Sequence, residues 1–268
     1  MVATPIGNLD DISLRALKLL SEVDLITAED TRRSRVLMTR HGLSRSMQAL
    51  LEHNEEQKAP QIVERLLQGE SVALVSDAGT PLLSDPGYRL VTLAAEAGVE
   101  VITVPGPSSI TAALSVSGLP VDRFAFEGFL PSRQSARTKR LAGLSGESRT
   151  LVFFESSHRI RDSLADLEQV FGGDRQAALC RELTKQFETV LRGPLADIRR
   201  RVDEDQNQCK GEIVLVVSGS AVSEESAFPA ALELARELRE ALGDSHAARL
   251  AARIHGVSRR ELYRALED

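Results

Sequence analysis

Short apolar runs and amphipathic stretches alternate along most of this chain, and their spacing sets out the elements. Val2–Thr4 reads as the tail of a strand, followed by the turn Pro5-Ile6-Gly7-Asn8 and a helix in which Leu14, Leu17 and Leu20 share a face. Val23–Thr27 is expected as a short buried strand, Arg32–Arg40 and Gln61–Gln68 as helices, and Val72–Val75 and Val99–Val104 as central strands of a parallel sheet. A second series begins after Pro120. Thr150–Phe154, Ala177–Cys180, Phe187–Leu191 and Glu212–Val217 read as strands, with helices at Ser157–Phe171 and Leu195–Val202. A hairpin around Leu183–Gln186 would make this half mixed rather than fully parallel.

Ser220–Phe228 turns to Ser, Glu and Ala and reads as a linker. Beyond it, three short helical patterns follow, with Gly256 ending the second and Ser258-Arg259-Arg260-Glu261 spaced to start the third. The predicted class is α/β: two α/β domains, 1–118 and 119–220, plus a helix-turn-helix-like tail at 229–268.

Composition agrees with two domains built on aliphatic layers. The 268 residues are 42% hydrophobic but only 4% aromatic, with no Trp. Cys180 and Cys209 have no thiol or His partner at ligand spacing, so neither a metal site nor a disulfide framework is expected. With no long apolar segment and no signal-peptide pattern, the expected location is the cytoplasm, away from membranes. The net charge of −6 weighs against a nucleic-acid partner. Distribution reverses that: Arg133, Arg137, Lys139 and Arg140 lie in an acid-free run, and Arg249, Arg253, Arg259 and Arg260 crowd the tail.

Three loops follow predicted strands: Thr4–Asp11, Ser76–Gly87 and Pro105–Ser109, the last opening a small-residue helix at Thr111–Ser117. In an open α/β sheet such loops line one crevice. Each also admits a purely structural role, with Gly79 and Gly106 supplying positive φ and Asp10, Asp77 or Ser108 capping helices. As ligand groups, Asp77 would accept hydrogen bonds and the glycines would admit a close backbone approach. Neither GxxxxGK[ST] nor GxGxxG occurs, so ATP hydrolysis and a dinucleotide site are not indicated.

Several uncommon strings occur in order: Val-Ala-Thr-Pro-Ile-Gly-Asn at 2–8, Ala-Glu-Asp-Thr-Arg at 28–32, Ser-Asp-Ala-Gly-Thr-Pro at 76–81, Pro-Gly-Pro-Ser-Ser-Ile-Thr-Ala-Ala at 105–113 and Lys-Gly-Glu at 210–212. Together they resemble the bacterial 16S rRNA (cytidine-2′-O)-methyltransferases, of the tetrapyrrole-methylase-like class. The resemblance implies a homodimer with S-adenosylmethionine in a cleft between the two α/β domains, and 16S rRNA of the small ribosomal subunit as the partner. Carried over by position, it implies cofactor contacts from Pro5, Gly7, Asp77, Ala78, Gly79, Ser108 and Ser109. Phe154, Leu183 and Gly211 would contribute from the second domain.

A ribose hydroxyl is a poor nucleophile, so alignment plus a base or a nearby cation must carry the catalysis. The candidates are Glu29, Asp30, Lys185 and Lys210. Glu29 and Asp30 with Arg32 read equally well as a structural ion cluster. Arg32 and Arg33 join the two basic surfaces as candidate RNA contacts, the alternative for each being a solvated face. Phe124, Phe126, Phe129 and Tyr88 are the plausible platforms for stacked bases. Two other readings are a corrin or porphyrin methylase of the same fold and a non-enzymatic nucleic-acid binder that uses the C-terminal helices.

Overall fold

A computed structural model describes residues 1–220 and 224–267. They form two compact units, one of residues 1–143 with 150–218, the other of 144–149 with the chain from 219 onward.

The larger unit starts with α1 (Leu14–Glu22), β1 (Leu25–Ala28), α2 (Thr31–Arg40), β2 (Met47–Ala49), α3 (Glu52–Leu67), β3 (Val72–Leu74), α4 (Tyr88–Glu96) and α5 (Ser109–Ser117). Its first sheet runs β2-β1-β3, all parallel. Residues 1–4 extend the sheet beyond β3: Val2 N–H donates to the Leu74 carbonyl (2.9 Å), and Val104 N–H donates to the Met1 carbonyl (2.8 Å). Val2, Ile26, Ala73 and Val104 share one buried cluster with Ala16, Leu20, Leu37 and Met38. Ile62, Leu74 and Leu90 centre a second cluster on α3 and α4.

The predicted strand at 99–104 is reduced to a bridge at Val104. It lies on the sheet's outer edge, and Val101 and Ile102 stay exposed because no further strand among the described residues covers them. Helix α3 begins well before the predicted Gln61: Leu51 N–H donates to Asn54 Oδ1 (2.9 Å), and buried Glu55 accepts from the Leu90 N–H at the start of α4 (3.1 Å).

The chain continues through β4 (Phe124–Phe129), α6 (Gln134–Leu144), β5 (Thr150–Ser156), α7 (Ile160–Phe171), β6 (Gln176–Arg181), β7 (Thr189–Pro194), α8 (Leu195–Glu204) and β8 (Glu212–Val217). The second sheet runs β4-β5-β8-β6-β7, with only the β4–β5 pair parallel, and β6–β7 is the expected hairpin. α5 crosses to this sheet. Ile110, Ala113 and Leu114 pack with Val152, Ala178, Cys180, Val214 and Val216, and Ile6 from the first loop joins them.

Helix α6 corrects one expected RNA contact. Arg137 is 3% exposed: its Nε donates to Asp166 Oδ2 on α7 (2.6 Å) and its Nη1 to the Ser132 carbonyl (3.2 Å). It turned inward because the fold supplies a buried carboxylate that the local sequence does not reveal. Arg133, Lys139 and Arg140 are exposed.

In the smaller unit, α9 (Glu224–Leu242), α10 (Asp244–His255) and α11 (Arg259–Glu267) pack through Ala231, Ala235, Ala248, Ala251, Leu262 and Leu266. Alanine at these contacts lets the helices approach closely. Part of the expected linker, 221–223, lies outside the described residues, and from Glu224 the chain is already helical. Gly256 takes the left-handed conformation (φ +69°) that ends α10, and Ser258 Oγ accepts from the Glu261 N–H (3.4 Å).

The Arg137–Asp166 pair gives a stability test. Asp166→Ala leaves a buried guanidinium uncompensated and should cost about 3–5 kcal/mol in denaturant unfolding. Replacing both residues with apolar side chains of similar volume should cost much less.

Candidate active site

Within the larger unit, the loops after the strands of the first sheet and the neighbouring strand ends of the second line a cavity of about 820 Å³. That is within the usual range of small-molecule sites, roughly 300–1,000 Å³. The first sheet contributes Glu29–Arg33, Asp77–Thr80, Leu83–Asp85 and Ser108–Ile110. The second contributes Phe129, Phe154–Ser157, Leu183 and Gly211–Val214.

The loops are bolted to one another. Thr4 and Gly79 exchange backbone hydrogen bonds (2.9 and 3.0 Å), Ser76 Oγ donates to the Gly79 carbonyl (2.8 Å), and Thr80 Oγ1 donates to the Pro107 carbonyl (3.3 Å). Gly79 is left-handed (φ +88°), and a Cβ there would sit 3.3 Å from Ile6 Cγ2. Asp77 Oδ1 accepts from the Asp30 N–H (2.8 Å), which joins the loop after β3 to the loop after β1. Asp77 is thus not the cap of its own segment. Asp30 is the cap of α2, accepting from the Arg32 N–H (2.9 Å).

Of the sequence-derived candidates, Glu29, Asp30, Arg32, Arg33, Asp77, Ala78, Gly79, Ser108, Ser109, Phe154, Leu183 and Gly211 come together here. Pro5, Gly7, Lys185 and Lys210 are not among the lining residues. Pro5 is buried. Gly7 serves a loop contact instead, since a Cβ there would meet Lys185 Cγ at 2.5 Å, and the neighbouring Asn8 N–H donates to Thr184 Oγ1 (3.1 Å). Lys185 Nζ bonds Glu182 (2.7 Å) and Glu212 (3.2 Å). Burial opposes its charge, but hydrogen bonding to Glu182 and Glu212 outweighs that and holds the ammonium above its ordinary pKa. Exposed Lys210 bonds Asn207 Oδ1 (3.0 Å). Gly211, at φ +82°, leaves no room for a side chain because a Cβ would overlap the Glu182 carboxylate.

The carboxylates of the cavity divide by environment. Hydrogen bonds from the Arg32 side chain, then from its backbone, hold Asp30 down at about 2. Glu155, buried, accepts from Ser163 Oγ (2.5 Å) and pairs with Arg159 (2.8 Å), so it serves the framework. Glu29 is raised, by burial first and then by the charge of Asp77. Asp85 is pushed up to about 6 by burial and by the charges of Glu29 and Asp77, against a hydrogen bond from Ser76. Glu29, Asp77 and Asp85 therefore form a cluster of mutually repelling charges, answered by Arg33 at 3.6 Å from Asp77. Ile6, Ile110, Phe154, Leu183 and Val214, which share one apolar cluster, make an apolar part of the same lining.

Sequence reasoning missed Asp85 as a site residue. The available signal was its place in the same Gly- and Pro-rich loop as Asp77. Of the four aromatic candidates, Phe129 lines the cavity. Among the RNA candidates, Arg32 and Arg33 stand at the cavity with side chains 88% and 65% exposed. Exposed Arg140 pairs with Glu127 on β4, and Arg249, Arg253, Arg259 and Arg260 are exposed on the smaller unit.

This arrangement suits a cationic, partly apolar ligand: the lining holds a group of acids, a group of apolar side chains, and backbone held open by glycine. Comparison with known proteins agrees. Residues 1–199 match the Tetrapyrrole (Corrin/Porphyrin) Methylases family and residues 225–268 match the RsmI C-terminal HTH domain. Ribosomal RNA small subunit methyltransferase I of Xylella fastidiosa (strain Temecula1) is 52% identical, covering 98% of this chain and 96% of that protein. The protein of the same name from Escherichia coli O157:H7 is 48% identical over 100% and 94%. Among solved structures, the cobalt precorrin-4 methyltransferase CbiF superposes with a TM-score of 0.62 at 18% identity, covering 81% of this chain and 92% of that one, a likeness of fold. The chain belongs to the tetrapyrrole methylase family, among its ribosomal RNA small subunit methyltransferase I members, and is an S-adenosylmethionine-dependent methyltransferase.

Proposed function

We propose that this chain methylates the ribose 2′-hydroxyl of a cytidine in 16S rRNA within the small ribosomal subunit, working in the cytoplasm as a homodimer. The observation that carries the reading is the cavity itself, whose lining combines the Glu29, Asp77 and Asp85 carboxylates with apolar side chains from both sheets. Exposed Arg32 and Arg33 beside it suit the phosphates of an RNA strand. No helix of the described residues is long and apolar enough to cross a membrane.

When bound, S-adenosylmethionine supplies an electrophilic methyl on a positively charged sulfur. The residues divide the remaining work. Asp77 would accept hydrogen bonds from the donor, Ala78 and Gly79 would admit it against the backbone, and Ser108 and Ser109 at the start of α5 would hold its methionine end. Phe154 and Leu183 exclude water from the other side. Glu29 is placed to accept the hydroxyl proton on a carboxylate oxygen, since its raised pKa makes it a better base than an ordinary glutamate. Asp30, held ionised by Arg32, is a poor base and fixes the start of α2. Lys185 and Lys210 act by holding loops.

Asp77→Ala should weaken donor binding about 10- to 150-fold, the value of a charge-assisted hydrogen bond, as read by titration calorimetry. Unchanged affinity with reduced stability would assign Asp77 a framework role only.

The pH dependence has a definite sign. A bound cation favours the ionised form of Asp85, so affinity for the sulfonium donor should fall as pH drops through about 6, where the free chain takes up a proton. Asp85→Asn should flatten that dependence. The neutral thioether product should show little of it in the unaltered chain.

Incubation with methyl-labelled donor and small subunits lacking the modification should place label in 2′-O-methylcytidine after nuclease digestion. Label in corrin or porphyrin rings alone would overturn the substrate.

A further inference from the structure

Among the described residues, two large apolar side chains both line the cavity and stand well exposed: Leu83 at 39% and Phe129 at 54%. The backbone that presents them is unusual on both rims. Strand β4 pairs with β5 through Phe126↔Val152, Gly128↔Phe153 and Phe129↔Phe154, with an extra residue between Phe126 and Gly128. In a regular strand, residues 126 and 129 would point to opposite faces. The bulge brings both to the face of Phe154, with ring centroids at 4.8 Å and 5.5 Å, each inclined at 64°. Gly128 permits this with φ +68°, and its nearest neighbour in the Cβ direction is Ser84 Oγ at 3.9 Å. Across that gap, Leu82 and Ser84 are themselves left-handed, at φ +75° and +69°. Non-glycine residues held so on either side of Leu83 fit a rim shaped for a ligand.

Phe126 is half-buried and packs with the core of the second sheet. Phe129 makes one edge contact, with Phe154, and leaves much of its ring accessible at the cavity. A flat π surface beside a site where a ribose must dock suits the base carried by that ribose. To bring a 2′-hydroxyl into the cavity, the nucleotide must leave its own stack, and an aromatic face replaces the stacking it loses.

We propose that Phe129, with Leu83 on the adjoining rim, is the stacking platform for the pyrimidine base of the nucleotide being methylated, held in place by the β4 bulge. This rests on the RNA reading above. The platform recognises an unstacked base by its face, which leaves Asp77 and Asp85 for the donor and Glu29 for the hydroxyl.

The test compares Phe129→Ala, Phe129→Tyr and Phe129→Leu in single-turnover methylation of unmodified small subunits, with donor affinity and sedimentation measured alongside. Alanine should lower kcat/KM for the subunit about 5- to 150-fold, as for loss of one stacked base, with donor affinity and oligomeric state unchanged. Tyrosine should restore turnover and leucine should not. Because the chain contains no Trp, Phe129→Trp adds a single reporter whose emission should be quenched on subunit binding. Leucine restoring turnover as well as tyrosine would reduce Phe129 to apolar packing. Weaker donor binding in the alanine variant would make it part of the donor's wall, and a changed sedimentation coefficient would make it a subunit contact; each result overturns the platform. If the unaltered chain puts no label into subunits, the RNA reading fails and the platform with it, an outcome distinct from any difference between variants.

Discussion

The site depends on one apolar seam. Helix α5 follows the last segment of the first sheet, yet it buries Ile110, Ala113 and Leu114 against β6 and β8 of the second, and Ile6 from the first loop enters the same cluster. Each fully buried Ile, Leu or Val side chain contributes roughly 1.5–3 kcal/mol. The seam therefore holds the loops of one sheet against the strand ends of the other. The cavity is the space this packing leaves between them, and the backbone bonds between Thr4 and Gly79, with the bond from Thr80 Oγ1 to the Pro107 carbonyl, fix its shape from the first-sheet side.

With the loops locked, charge can be concentrated where an unconstrained chain would disperse it. The charge of Asp77 raises the proton affinity of Glu29, those of Glu29 and Asp77 raise that of Asp85, and Arg33 beside Asp77 only partly answers them. A cationic ligand would relieve that repulsion, and the proposed sulfonium site draws on this. Elsewhere around the cavity, acids are already satisfied: Asp30 by Arg32, Glu155 by Arg159 and Ser163, Glu182 by Lys185. The same division separates groups that can respond to ligand from groups that hold loops. It explains why two of the four candidate catalytic residues, Lys185 and Lys210, lie off the cavity.

What was legible in the sequence follows from where information is local. The strings around Asp77, Ser108 and Glu29 are short and unusual, and each stays within one loop, so their convergence could be expected from an open α/β sheet. Buried strands such as β5 and β8 show as continuous apolar runs because both faces are covered. β4 does not, since its bulge breaks the two-residue alternation and leaves Phe124 and Phe129 exposed. Arg137 looked like its basic neighbours because its partner, Asp166, comes from a helix distant in sequence. The Val99–Val104 run has strand composition, but composition does not reveal that it lies at an edge. Asp85 was hidden for the same reason as Arg137: its altered proton affinity arises from residues that only the fold brings near.

The most direct measurement is a crystal structure of the chain with S-adenosylmethionine or its thioether product bound. The account requires the ligand to lie between Asp77, Ser108 and the Phe154–Leu183 wall, with the sulfur within reach of the Asp85 and Glu29 side of the cavity. A ligand seated elsewhere, or one that touches a single sheet only, would contradict it.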